Sequence, residues 1–230
     1  MRSRIDFSLY IITTEIPILK RNHLDVAEAA LSAGATMIQL RDKSKSTEEM
    51  LDIASSLREL TRQAGITLIV NDRADVALDV GADGVHLGQN DLPLSYVRRF
   101  CTSEMIIGIS VKTLDQAIKA AKEGADYLGV GPIFSTPSKD DAGEPIGCEI
   151  IAQIRDRVKL PLVAIGGITK DNLEEVFKAG ADGIAVISAV ACAEDMEEAT
   201  AELLKRIQDV KCRCQAQVKR REESRDGFIN

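Results

Sequence analysis

A short phrase recurs along the chain and constrains its fold more than any other feature. Glycine followed by alanine occurs at Gly34–Ala35, Gly81–Ala82, Gly124–Ala125 and Gly180–Ala181, and in the last three cases an aspartate follows. Each copy comes after a segment of helical character and before a short apolar run. Glycine supplies the left-handed residue that ends a helix, and the apolar run has the length of a buried strand. The recurrence predicts helix–strand units repeated around one closed sheet.

Eight apolar runs fit this pattern as strands. They are continuous rather than alternating, which is typical of parallel strands that are buried on both faces. The chain is 45% hydrophobic but only 3% aromatic and has no Trp, so we expect a core of Ala, Val, Leu and Ile. The predicted strands are Leu9–Thr13, Thr36–Leu40, Thr67–Asn71, Gly84–Leu87, Met105–Ser110, Tyr127–Val130, Leu162–Ile165 and Gly183–Ile187.

Amphipathic segments lie between the predicted strands. The segment Glu48–Ala64 has one apolar face, formed by Met50, Ile53, Ala54, Leu57, Leu60 and Ala64. Thr113 and Gln116 have the spacing of a capping box, and Pro93 suits the first turn of a helix. This alternation predicts an α/β fold, a single (β/α)8 TIM barrel over residues 1–210. The charge-rich segment 211–230 is expected to extend the last helix or to fray.

A doubly wound open sheet is the main alternative architecture. The dinucleotide-binding members of that class carry a glycine-rich turn after the first strand. The first predicted strand of this chain is followed by no such turn, since it ends in Ile12, Thr13 and Thr14. The closed barrel is therefore favoured.

Charge and cysteine content restrict the classes of function. The formal net charge is −7, which argues against a surface that binds duplex nucleic acid but leaves room for a small basic pocket. Five cysteines form no CxxC pair, and two histidines are too few for a typical zinc site. No signal peptide or transmembrane run is recognisable, so we expect a cytoplasmic protein with reduced thiols that binds neither nucleic acid nor membrane.

Polar residues are concentrated just after the predicted strands. In a barrel the carboxyl ends of all strands form the active face, so these residues are expected to share one mouth. They are Arg41, Asp42 and Lys43 after the second strand, Asn71 and Asp72 at the third, Gln89 and Asp91 after the fourth, Ser110 at the fifth, Thr136, Ser138 and Lys139 after the sixth, Gly166 and Gly167 after the seventh, and Ser188 after the eighth.

Two of these groups suggest sites for a diphosphate and a metal ion. Arg41 and Lys43 alternate along a strand end, so both can point into the mouth and clamp an anion. Taken alone, a solvated charged loop is the better interpretation of these two residues. Asp72 and Asp91 end adjacent strands and could bind one Mg²⁺ together with phosphate oxygens of a substrate. Asp91 could instead cap a helix ahead of Pro93.

The loops after the last two strands indicate a phosphate site. Gly166 and Gly167 leave backbone N–H groups accessible, and many barrels bind phosphate between these two loops, here with Ile187 and Ser188. A simple tight turn would also explain the glycines. His86 is interpreted as a structural residue rather than a catalyst. Two anion sites on one face predict two phosphorylated ligands or one long one.

The full set of motifs resembles the thiamine-phosphate synthase family over roughly residues 8–205. The matching pieces are Gln39-x-Arg41-x-Lys43, Asn71-Asp72, His86-x-Gly88-Gln89-x-Asp91, Gly129-x-Gly131-Pro132-Ile133-Phe134-x-Thr136-x-Ser138-Lys139, Ile165-Gly166-Gly167-Ile168 and Ile187-Ser188. The resemblance implies a transferase that joins 4-amino-2-methyl-5-(diphosphooxymethyl)pyrimidine to a thiazole phosphate, giving thiamine phosphate and diphosphate. Pro137 and Lys112 are small departures that put no assigned role in doubt.

The resemblance also implies roles for individual residues. The pyrimidine diphosphate would be held by Gln39, Leu40, Arg41, Asp42, Lys43, Asn71, Ser110 and Lys139. Of these, Arg41, Lys43 and Lys139 would be catalytic because they neutralise the departing diphosphate. Mg²⁺, the implied cofactor, would be bound by Asp72 and Asp91. The thiazole phosphate would be held by Thr136, Ser138, Gly167, Ile187 and Ser188, and Pro137 is also expected to bind substrate.

The implied reaction is dissociative. Departure of diphosphate leaves a pyrimidine-stabilised carbocation, which the thiazole nitrogen captures, so no strong general base is needed. Water would also trap such a cation unless the site closes first. The polar loop 135–145 is expected to act as a lid that brings Lys139 onto the diphosphate. An ordinary surface loop is the alternative interpretation.

Three other functions are compatible with parts of this pattern. A related thiazole tautomerase would have a histidine where this chain has Pro132, and it would lack the paired aspartates. A phosphosugar epimerase would need a metal or an acid–base pair that the strand ends do not obviously supply. A non-catalytic sensor of thiamine intermediates could lose Asp72 and Asp91, which this chain keeps.

Overall fold

The computed structural model describes residues 5–136, 138 and 143–226. Within this part of the chain, strands β1 to β8 form a closed barrel in chain order. All neighbours pair in parallel, and β8 returns to β1 with Tyr10 opposite Ala185. The predicted (β/α)8 barrel is confirmed.

The strands are β1 Leu9–Thr13, β2 Met37–Leu40, β3 Thr67–Asn71, β4 Gly84–Leu87, β5 Ile106–Val111, β6 Tyr127–Val130, β7 Leu162–Ile165 and β8 Gly183–Val186. The helices are α1 His23–Ser32, α2 Thr47–Ala64, α3 Ala74–Asp79, α4 Leu94–Phe100, α5 Leu114–Glu123, α6 Glu149–Arg157, α7 Leu173–Lys178, α8 Ser188–Ala191 and α9 Met196–Asp226. A short 3₁₀ helix, Pro17–Leu19, follows β1.

Three strands differ from their predicted bounds by one residue at an end. β2 begins at Met37 rather than Thr36, whose hydroxyl group bonds to the backbone of Leu9. β5 is shifted by one residue toward the carboxyl end. β8 stops before Ile187, because this residue leaves the extended region (φ −116°, ψ −83°) and caps α8.

Details of three predicted helices also differ. In α2, Ala64 is exposed, and Thr61 completes the buried face instead, one turn after Leu57. Thr113 does cap α5, but the Gln116 side chain accepts from the backbone of Lys112, so the reciprocal half of the capping box is absent. Pro93 is the N-cap of α4 rather than a residue of its first turn.

The aspartates of the recurring phrase bind neighbouring strands. Asp83, just before β4, accepts the N–H of Leu68 in β3 at 2.8 Å, and Asp126, before β6, accepts that of Ile107 in β5 at 2.8 Å. Asp182 does the same for Leu162 in β7. Each aspartate also binds an arginine from the helix that precedes its strand pair, respectively Arg58 of α2, Arg98 of α4 and Arg155 of α6.

The first copy of the phrase obeys the same rule with threonine in place of aspartate. Thr36, before β2, accepts the N–H of Leu9 in β1 at 3.0 Å. The barrel therefore consists of four strand pairs. In each pair, one side-chain oxygen just before the second strand accepts a backbone N–H group of the first strand. This pairing explains why the phrase recurs only once in every two strand–helix units.

Two apolar layers enclose the strands. The inner layer fills the barrel with nine buried residues: Phe7, Tyr10, Ile12, Met37, Ile69, Ile106, Tyr127, Val163 and Ala185. The larger outer layer lies between strands and helices and contains Leu40, Leu57 and Ile151. Side chains along each strand point alternately to these layers, so the residues that follow a strand are directed to the barrel mouth or to the helices.

Among the described residues, no helix combines the length and the apolar character needed to cross a membrane.

Candidate active site

The carboxyl ends of the strands surround a cavity of about 370 Å³. Six residues to which the family resemblance implies a role line it: Arg41, Lys43, Asn71, Asp91, Ser110 and Thr136. Four polar residues without a predicted role also line it: Gln89, Asn90, Lys112 and Gln116. Gln89 and Asn90 come from the loop after β4, Lys112 from the loop after β5 and Gln116 from α5. They add polar groups to the mouth beyond the residues with an implied role.

The two aspartates predicted to bind a metal are in contact with each other, and Asp91 lines this cavity. Asp72 follows β3 with a left-handed backbone (φ 61°), and its N–H donates to the carbonyl oxygen of His86 at 2.8 Å. Burial, and then contact with the carboxyl group of Asp91, raises the pKa of Asp72 to about 6. Lys43 lies 3.9 Å from Asp72 and only partly offsets this effect. The two carboxyl groups repel each other when both are ionised, so added positive charge would stabilise the pair.

Asp91 does not cap α4, so the alternative interpretation of this residue is wrong. Its Oδ2 accepts the N–H of Gly88 at 2.6 Å, and the N-cap of α4 is Pro93. This bond turns the carboxylate back toward the end of β4 and toward Asp72. Among the described residues, no cluster of three or more His, Cys, Asp or Glu could hold a metal. At this place the described residues bring together two carboxyl groups, those of Asp72 and Asp91.

Asp42 organises the loop that carries the two basic residues. Its carboxylate accepts the N–H groups of Ser44 and Lys45 and lies 3.2 Å from His23 Nε2. Burial acts against ionisation, but hydrogen bonds from Ser44 and His23 lower the pKa of Asp42 overall. In this structure its side chain is directed at the loop and at buried His23, so it supports the turn between Arg41 and the helix α2.

Gln39 and Leu40 lie below the mouth. The Leu40 side chain is fully buried in the outer apolar layer, which leaves its backbone as the part available to a ligand. Gln39 is 2% exposed and points inward, where its amide nitrogen donates to the hydroxyl group of Tyr10 at 2.6 Å. Gln39 thereby lines a small cavity at the top of the barrel core.

A second cavity, of about 300 Å³, lies over the ends of β7 and β8. Gly166 and Gly167 both have left-handed backbones (φ 102° and 61°), and a Cβ atom at Gly167 would overlap the carbonyl oxygen of Ser135. Ser138 donates to the hydroxyl group of Ser188 at 2.8 Å across the cavity. The predicted residues Thr136, Gly167, Ile187 and Ser188 all line it.

The two cavities are adjacent. Thr136, Ile165 and Gly166 belong to the walls of both, so ligands in the two cavities would meet at this shared wall. Two predicted residues, Pro137 and Lys139, lie outside the described residues, as does the rest of segment 139–142 of the expected lid.

Comparison with known proteins agrees with this geometry. The profile of a family described as thiamine monophosphate synthase matches residues 9–190. The thiamine-phosphate synthase of Chloroflexus aurantiacus is 50% identical over 199 residues, which cover 86% of this chain and 92% of that protein. The thiamine-phosphate synthase of Methanospirillum hungatei is 52% identical over 196 residues, covering 85% and 95%.

A solved structure shows the same relationship in three dimensions. Thiamine phosphate pyrophosphorylase from Pyrococcus furiosus superposes with a TM-score of 0.82 at 48% identity, covering 90% of this chain and 98% of that one. The family profile spans all eight strands of the barrel. On its sequence, its fold and the adjacent cavities at its mouth, this chain belongs to the thiamine monophosphate synthase family.

Proposed function

We propose that the protein is a thiamine-phosphate synthase. It would join 4-amino-2-methyl-5-(diphosphooxymethyl)pyrimidine to a thiazole phosphate and release diphosphate. The observation that carries the proposal is the pair of adjacent cavities that share a wall at Thr136, Ile165 and Gly166. A reaction that joins two phosphorylated halves needs two anion sites whose reacting groups meet, and this mouth has that layout.

The first cavity suits the pyrimidine diphosphate. Arg41 and Lys43 contribute positive charge to one wall, where a guanidinium fork and a compact ammonium group can neutralise a diphosphate together. Asn71 and Ser110 add neutral hydrogen-bonding groups. We assign the same anion to Lys139, as the family resemblance implies. These cations would act mainly on the leaving group, where negative charge develops as the bond breaks.

Asp72 and Asp91 fit a divalent cation. Two carboxyl groups in contact, one of them partly buried with a raised pKa, form an unfavourable pair without added positive charge. Oxygen donors, two carboxylates and room for phosphate oxygens are the ligand set that Mg²⁺ prefers. When bound, Mg²⁺ would supply charge neutralisation to the departing diphosphate.

The second cavity suits the thiazole phosphate. The left-handed glycines leave their backbone N–H groups unobstructed, and Asn172 holds the loop by donating to the carbonyl oxygen of Gly167 at 2.9 Å. Ser138 and Ser188 place two hydroxyl groups on the opposite side. We assign the thiazole phosphate to Thr136, Pro137, Ser138, Gly167, Ile187 and Ser188.

This chemistry requires little proton transfer. Capture of a pyrimidine-stabilised carbocation by the thiazole nitrogen needs proximity and exclusion of water rather than a general base. The barrel core below the reacting groups is apolar apart from a short row of hydrogen-bonded side chains. Pro132 lies in the wall of the first cavity and cannot exchange a proton, which disfavours the tautomerase alternative.

A fluorescence assay of product formation tests the proposal. The purified protein is mixed with Mg²⁺ and both phosphorylated halves, and thiamine phosphate is detected by oxidation to its fluorescent product. We expect product only when both halves and Mg²⁺ are present. An Arg62→Gln variant, which changes an exposed ion pair with Glu59 outside both cavities, serves as a control that should keep full activity. Absence of product from folded protein with both halves present would contradict the proposal.

A further inference from the structure

Five polar side chains form a continuous hydrogen-bonded row across the top of the barrel core. Gln39 Nε2 lies 2.6 Å from the Tyr10 hydroxyl oxygen, which lies 3.1 Å from that of Tyr127. Tyr127 is 2.8 Å from His86 Nδ1, and His86 Nε2 is 2.8 Å from Ser110 Oγ. All but Ser110 are buried. The row thus runs from the core to a residue at the mouth.

Hydrogen positions along the row follow from its first member. The Gln39 amide can only donate through its nitrogen, so the Tyr10 oxygen accepts there. The Tyr10 hydroxyl hydrogen is then donated to the Tyr127 oxygen, which lies 3.1 Å away. Burial raises the pKa of both tyrosines well above the ordinary value, so both keep their protons.

The same reasoning reaches the histidine. Because Tyr127 already accepts from Tyr10, its own proton is available to His86 Nδ1, which must then carry a lone pair. A neutral imidazole with an unprotonated Nδ1 carries its hydrogen on Nε2. That hydrogen is donated to Ser110 Oγ. If Tyr127 donated to Tyr10 instead, the buried hydroxyl hydrogen of Tyr10 would have no acceptor. Folded proteins avoid such buried unpaired groups because of their cost in free energy.

We propose that this row is a directional relay that makes Ser110 a hydrogen-bond donor toward the ligand. The Ser110 oxygen accepts from His86, so its own hydrogen is the part directed to the mouth. Gln89 holds the backbone at this point by donating to the Ser110 carbonyl oxygen at 2.7 Å. His86, Tyr127 and Tyr10 act as positioning residues, since they touch Ser110 or each other rather than the proposed reacting groups.

Two glycines inside strands make room for the relay. A Cβ atom at Gly108 would overlap the Tyr127 ring, and one at Gly129 would lie 2.9 Å from His86 Cε1. The Tyr127 ring also packs against Phe7 and His86, with centroid distances of 5.1 and 5.4 Å. Glycine in a strand weakens the strand unless something must approach closely. Here the close approach is that of the Tyr127 and His86 rings, which pack at a tilt of 37° and fix the hydroxyl group of Tyr127.

The direction of the relay determines which kind of ligand atom Ser110 can bind; this step rests on the proposed function. A donor at Ser110 selects an acceptor on the pyrimidine diphosphate, either a diphosphate oxygen or a ring nitrogen, and disfavours the 4-amino group at that place. His86 is therefore more than a structural strand-end residue, because its tautomer sets the polarity of a group in the mouth.

The tautomer can be measured without any substrate. The chain has only two histidines, so long-range ¹H–¹⁵N correlation spectra of untagged protein show two imidazoles, and a His23→Gln variant assigns them. We expect His86 in the neutral form, with Nε2 protonated and Nδ1 unprotonated. An Nδ1-protonated or doubly protonated His86 above neutral pH would overturn the relay, whatever the protein's activity.

A double-mutant cycle then tests the link to the ligand. Tyr127→Phe removes the donor to Nδ1 and should raise the KM for the pyrimidine diphosphate about tenfold, as expected for one lost hydrogen bond. The KM for the thiazole phosphate should stay unchanged. In a Ser110→Ala background, the same change should have no further effect. Additive effects of the two substitutions would overturn the proposal.

Two variants of His86 distinguish a role in hydrogen bonding to Ser110 from a role in filling space. Glutamine can place its amide nitrogen near the position of Nε2, whereas asparagine reaches only that of Nδ1. His86→Gln should therefore retain a donor to Ser110 and keep a near-normal KM, and His86→Asn should not. Equal loss in both variants, with both proteins folded, would show that the ring acts only by filling space.

Discussion

Replacing Asp72 by asparagine is the sharpest test of the acidic pair. Asparagine keeps the size of the side chain and tolerates the left-handed backbone at this position (φ 61°), so the change removes charge and little else. The pKa of Asp72 is raised from 3.8 to about 6, which would correspond to about 3 kcal/mol if the group were fully shielded from water. Its side chain is 23% exposed, and solvent screening leaves about 1–2 kcal/mol.

The sign of the effect follows from proton linkage. Between pH 3.8 and about 6 the folded protein holds a proton on Asp72 that the unfolded chain has released, so the free energy of unfolding falls as the pH rises through this window. Above it the full destabilisation is present. At pH 7.5, without metal, Asp72→Asn should therefore raise the Tm, by roughly 2–4 °C for each kcal/mol in a chain of this size.

Differential scanning calorimetry measures this shift directly. Mg²⁺ should stabilise the unsubstituted protein and have little effect on the variant, because a ligand stabilises only the state that binds it. Turnover should fall by orders of magnitude in Asp72→Asn and likewise in Asp91→Asn. A lower Tm in Asp72→Asn at pH 7.5, or normal Mg²⁺-dependent turnover in both variants, would refute the reasoning.

Three more predictions concern the second cavity, the core and the loop after β6. Gly167→Val should raise the KM for the thiazole phosphate far more than that for the pyrimidine, because a Cβ atom there overlaps Ser135; steady-state kinetics with each half varied would reveal equal effects if the two-site layout were wrong. Gly108→Ala should lower the free energy of unfolding by about 3 kcal/mol through overlap with the Tyr127 ring, and a urea midpoint close to that of the unsubstituted protein would argue against the close packing. Hydrogen exchange in segment 135–145 should slow when pyrimidine diphosphate and Mg²⁺ bind, and Lys139→Ala should lose activity; unchanged exchange at saturation would exclude a lid.

The barrel could be predicted because its signal is local. Each glycine that ends a helix and each apolar run that follows can be recognised within a few residues. What Asp83, Asp126 and Asp182 do could not be recognised in the same way. Their partners are backbone N–H groups of a neighbouring strand, 15 to 20 residues away in the chain, and such neighbours are known only once the sheet order is known.

The mouth was predictable for a similar reason. All strands of a parallel barrel end on one face, so any polar residue after a strand is a candidate. This rule places Arg41, Asp91 and Ser110 in one cavity. It does not distinguish residues whose side chains turn away, as with Leu40 in the outer layer and Asp42, which faces His23.

The relay in the barrel core was missed. Tyr127 is the first residue of β6 and Tyr10 the second residue of β1. The continuous apolar runs around them predicted only apolar packing there. Whether such a residue points inward depends on the strand tilt, which motif spacing does not contain. Gly108 and Gly129 were the available signal, because a glycine within a buried strand indicates a close approach by another group.

Phosphorus NMR on one reaction mixture tests the central claim most directly, because it follows both anions at once. With Mg²⁺, the pyrimidine diphosphate and the thiazole phosphate present, the account predicts that diphosphate and thiamine phosphate appear in a one-to-one ratio and that neither appears when the thiazole phosphate is omitted. Diphosphate released without thiamine phosphate would show hydrolysis instead of transfer, and no change in either substrate signal would show that folded protein lacks the activity; both results would contradict the account.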